Sequence, residues 1–74
     1  MTIEITDNEK NAVIQQHLKN HSYNKYNLEL SLLEENGATV KNQASIDQIT
    51  EQLESINAKI AVLNEEASKL TITE

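Results

Sequence analysis

In this chain of 74 residues, Ile46, Ile49, Leu53, Ile56, Ile60, Leu63, Ala67 and Leu70 recur at spacings of 3, 4, 3, 4, 3, 4 and 3. An unbroken heptad stripe of this kind gathers its members on one side of an α-helix and commits that side to another helix. With Ile46 at position a, the stripe places Ile46, Leu53, Ile60 and Ala67 at a, and Ile49, Ile56, Leu63 and Leu70 at d. Isoleucine at d favours more than two helices around one axis. Ser45-Ile46-Asp47-Gln48 has the form of a capping box, so this second helix is expected to span about 45–70.

A first helix is expected over about 7–36. Thr6-Asp7-Asn8-Glu9 fits a capping box, and Asn36-Gly37 supplies a left-handed residue to end the helix, with Ala38 placed for a Schellman contact with Leu33. A loop of about eight residues, 37–44, joins helices of about 45 and 38 Å, which predicts an antiparallel coiled-coil hairpin with matched arms. The first helix carries two faces. Its main stripe is Ile14, Leu18, His21, Lys25, Leu28 and Leu32, with two polar members at the centre. At 100° per residue, Tyr23, Tyr26, Leu30 and Leu33 fall more than a quarter turn from it.

One face of the first helix can cover the second helix. The other needs a second copy or another protein, so Tyr23, Tyr26, Leu30 and Leu33 form the candidate protein interface. A hairpin this small also has little to bury by itself. Both considerations point to an all-α, single-domain chain over 1–74 that dimerises into a four-helix bundle. The flanking segments 2–6 and 70–73 are β-branched and alternating, and lie at one end of such a hairpin, where they pair as a short sheet or fray.

Composition removes other classes. There is no Cys, Phe, Trp, Pro or Arg, and the only aromatics are Tyr23 and Tyr26, so disulfides and thiolate metal sites are excluded and the core must be aliphatic. Twelve acids against six Lys give a net charge of −6, divided evenly between residues 1–37 and 38–74. That balance disfavours nucleic acid and anionic lipid as partners. The acidic N-terminus and the absence of a long apolar run predict neither export nor a membrane span. The Asn, Lys and Ile surplus with no Arg is what an AT-rich genome supplies.

Chemistry is sparse. His17 and His21 stand at i and i+4, the spacing of a helical metal pair, but Leu18 occupies the place of a general-base Glu and no third ligand is indicated. The pair is expected to edge the seam without metal. Protonation there would place like charges at any interface and weaken association. Glu34-Glu35 and Glu65-Glu66 point about 100° apart within each pair and cannot share a proton, so both are expected as solvated surface. No nucleophile has a base and an orienting partner, and no glycine loop can cradle a phosphate. No catalysis, cofactor, metal or small-molecule substrate is expected.

The leading functional expectation is a cytoplasmic assembly, scaffold or adaptor component that oligomerises and binds another protein. Its size fits a phage or bacterial source, with incorporation in the virion if phage-encoded. The alternative is an acidic inhibitor that occupies a basic surface by imitating nucleic acid, although six excess negatives are sparse beside a duplex carrying one charge per about 1.7 Å. Salt separates the two, since mimicry weakens with ionic strength and an aliphatic interface does not.

Overall fold

The computed structural model describes residues 4–71 of the chain. Two helices account for nearly all of them, α1 (Asp7–Gly37) and α2 (Gln43–Ser68), with no strand among the described residues. They pack side by side as a rod measuring 58 by 22 by 20 Å. The arms run antiparallel. The Thr71 N–H donates to Asp7 Oδ2 at 2.8 Å and so ties the end of α2 to the start of α1.

Half-burial follows the heptads. It picks out Ile46, Ile49, Leu53, Ile56, Ile60, Leu63 and Ala67 on α2 and Leu70 just beyond it, the whole expected stripe, with Ser45 half-buried beside it. On α1 it picks out Ile14, Leu18, His21, Lys25, Leu28 and Leu32, the same phase continues outward through Asn11 and Asp7 and through Glu35, and Ser31 is half-buried beside Leu32. Polar residues therefore hold the seam positions at both ends of α1 as well as at its centre. No described residue is fully buried. Two helices in contact cover each seam side chain from one direction only, and a third or fourth helix would be needed to close the other.

The start of α1 is as expected. Thr6 Oγ1 accepts from the Glu9 N–H at 3.1 Å, and the Thr6 N–H donates to Glu9 Oε1 at 3.0 Å. The Thr6 backbone N–H, and after it the Thr6 hydroxyl, hold the Glu9 carboxyl below the usual glutamate range. A lowered folded-state value gives a stabilisation that is complete above the ordinary glutamate range and is lost as pH falls through the folded value. Thr6→Ala is expected to cost about 1 kcal/mol. Glu9→Gln should instead keep the reciprocal bonds at neutral pH and flatten the acid limb of the stability curve, measured by urea unfolding across pH.

Two local expectations are corrected. Helix α2 begins earlier than the Ser45 box implied, because Asn42 is the cap: its side chain accepts from the Ser45 N–H at 3.2 Å. Asn42 caps at least as well as Ser, and using it adds a turn to the helix before the seam begins. Gly37 is the last residue of α1 and has no positive φ. The chain leaves through Ala38 in extended conformation, with the Ala38 N–H donating to the Glu35 carbonyl at 3.4 Å, so no left-handed cap forms. The connection is correspondingly shorter than eight residues.

A Cβ added at Gly37 meets nothing within 4 Å. Gly37→Ala is therefore expected to stabilise the hairpin by about 0.5 kcal/mol through the unfolded chain, read as a higher urea midpoint. At the open end, residues 4–6 form no strand, and Thr71 bonds to the Asp7 side chain. The remainder of the terminal segments lies outside the described residues.

Candidate interaction surfaces

Among the described residues, the large apolar side chains that stand exposed fall on two faces and the connecting loop. On α1, Tyr23, Tyr26, Leu30 and Leu33 are 62, 61, 37 and 68% exposed. Their spacings of 3, 4 and 3 repeat the heptad interval, but in a phase about 140° from the seam at 100° per residue. They stand at the outward f and b positions of the coiled coil, along the loop-proximal half of the helix. The four expected interface residues thus share one solvent-facing stripe that α2 does not touch. Tyrosine suits such a place, with an apolar ring and a hydroxyl that stays wet.

The second surface runs along one flank of the seam. Three shallow grooves of about 410, 380 and 240 Å³ follow one another there. Their rims repeat every seven residues: Asn24, His17 and Lys10 on α1, with Gln52, Lys59 and Glu66 on α2. All are g positions, which face one another across an antiparallel pair. Seam residues at d, among them Ile14, Leu28, Ile56 and Leu63, form the groove floors. Exposed Ile5, Val13 and Val62 enlarge the two grooves nearest the open end. No single-helix periodicity marks this surface. Val13 and Val62 are isolated apolar residues off each helix's own stripe, and only the relative phase of the two helices brings them to the same side.

The flank also differs electrostatically from the chain as a whole. Its groove linings hold Lys10 and Lys59 against Glu66, in a chain whose net charge is −6. Lys10 approaches Asp7 at 4.0 Å, and Lys69 approaches Glu66 at 3.5 Å. These pairs lie on the surface, each between residues three apart in sequence, and contribute little.

His17 and His21 line the same groove as Lys59, with His21 half-buried at the seam and His17 exposed. Among the described residues no group of three or more His, Cys, Asp or Glu is placed to hold a metal ion. Of the paired acids, Glu34, Glu65 and Glu66 are exposed as expected, whereas Glu35 is half-buried at a d position near the loop. An acid at the end of an apolar stripe extends it without announcing itself, which is why the sequence alone assigns Glu35 to the surface. No helix among the described residues is long and apolar enough to cross a membrane.

Neither a protein-family model, nor a curated protein, nor a solved structure matches the chain.

Proposed function

We propose that this chain is a small, non-enzymatic assembly or adaptor component: a helical hairpin that self-associates and presents the Tyr23, Tyr26, Leu30 and Leu33 face to another protein. The observation that carries this reading is that face itself. Two tyrosines and two leucines stand exposed at heptad spacing on the side of α1 away from its partner helix, Leu30 the most covered of the four. Exposed aromatic and aliphatic side chains in a continuous stripe are the usual anchors of a protein contact. Self-association is supported separately by the incomplete burial of every seam residue.

The test compares wild type with Tyr26→Glu/Leu30→Glu in affinity capture from the native host, at low and high salt. Both positions are exposed, so the double variant should keep its helicity by circular dichroism. A protein retained by wild type at high salt and lost by the variant is the expected outcome. Capture that is unchanged by the substitutions removes this face from the contact. Capture that collapses with salt instead favours the acidic-inhibitor reading, in which carboxylates engage a basic surface.

A further inference from the structure

We infer that the grooved flank of the hairpin, bounded by Lys10, His17 and Asn24 on α1 and by Gln52, Lys59 and Glu66 on α2, is where a second copy of this chain docks. The inference rests on the self-association proposed above and specifies which side joins the copies, leaving the Tyr23 to Leu33 face free for a different protein.

Three observations favour a second copy at this place. First, the d side chains of both helices open onto this flank, so another hairpin laid there would close the half-covered seam as the inner layer of a four-helix bundle. The other flank presents Ser22, Glu29, Asn36, Asn57 and Asn64, all exposed and none apolar. Second, charge permits the approach here. Two acidic rods repel through most of their surface, but this flank sets two Lys against one Glu. A two-fold axis along the rod would lay α1 of each copy on α2 of the other, bringing Lys10 of each toward Glu66 of its mate, with both pairs at the open end. Third, the area suffices. The side of a rod 58 Å long and 20 Å wide exceeds the roughly 800 Å² per partner that a stable interface covers.

Sedimentation velocity over the micromolar range tests the assignment with wild type, Val62→Glu and Leu33→Glu. Val62 is 64% exposed in the single hairpin, so a glutamate there is compatible with the hairpin fold and is harmful only beneath a second copy. Wild type should sediment as a dimer, Val62→Glu should weaken dimerisation at least about tenfold, and Leu33→Glu should leave it unchanged. Photo-cross-linking gives a readout that does not depend on the stability of a dissociated hairpin: p-benzoyl-phenylalanine in place of Val62 should join two copies covalently, and the same group in place of Leu33 should not. Dissociation by Leu33→Glu, or cross-linking from position 33 alone, overturns the inference and moves the copy contact to the tyrosine face. A wild type that stays a folded monomer at high micromolar concentration also overturns it, while the capture experiment still decides the tyrosine face independently.

Discussion

Lys25→Leu is expected to make the hairpin more stable, raising the thermal midpoint by about 5 °C at fixed protein concentration. Lys25 occupies an a position between Leu18 and Leu32 and is half-buried there. Its aliphatic stem lies along the seam, but the ammonium must reach past it to water, which forfeits part of the contact that a leucine would make. Full burial of a leucine side chain contributes about 2 kcal/mol, and half-burial about half of that. The gain should carry a loss of specificity, because a polar residue at a single a position restricts register and helix number. Differential scanning calorimetry reads the first effect, and a broader distribution of oligomers in sedimentation reads the second. A lowered midpoint would mean that the ammonium, and not the stem, is what the site stabilises.

Leu53→Asp should have the opposite and larger effect. Leu53 lies near the middle of the α2 stripe, in an uninterrupted run of Ile and Leu from Ile46 to Leu63. A carboxylate there loses the apolar contact and is partly desolvated with no partner, a combination that costs about 3 kcal/mol or more. A small hairpin with no fully buried residue among those described has little stability to lose. The far-ultraviolet helix signal is expected to fall by about half or more in native buffer, whereas Ala61→Glu, at an exposed position of the same helix, should change stability by no more than about 0.5 kcal/mol.

The contrast between those two sites shows which parts of the fold were legible beforehand. Ile46 through Leu70 needed no structural knowledge, because each member is apolar and the interval never slips. The interval also places His21 and Lys25 despite their polarity, since Leu18 and Leu28 flank them in phase. It does not reveal Asn11, Asp7 and Glu35, because a stripe that turns polar at its ends looks like the end of the stripe.

The caps show a different limit. Ser45-Ile46-Asp47-Gln48 and Asn36-Gly37 both satisfy local templates, but Asn42 captures the helix start first, and an extended Ala38 removes the need for a left-handed glycine. Of the two surfaces, the tyrosine stripe could be read from one helix alone through its angle. The grooved flank depends on how the helices are rotated about each other, and neither helix's sequence carries that information by itself.

The Asp7 and Thr71 clasp has a consequence for the order in which the hairpin assembles. It joins positions 64 apart in sequence, whereas Leu32 and Ile49, seam members near the loop, are separated by only 17. Closing the shorter segment first sacrifices less chain freedom, so pairing should begin beside the loop and advance layer by layer toward the open end. Fraying then proceeds in reverse, with the clasp the last link made and the first released. Amide hydrogen exchange should record the gradient as slow exchange around Leu32 and Ile49 and progressively faster exchange toward Ile14 and Ala67. The tyrosine face sits on the early-forming half, so it can be displayed while the far end of the rod is still open.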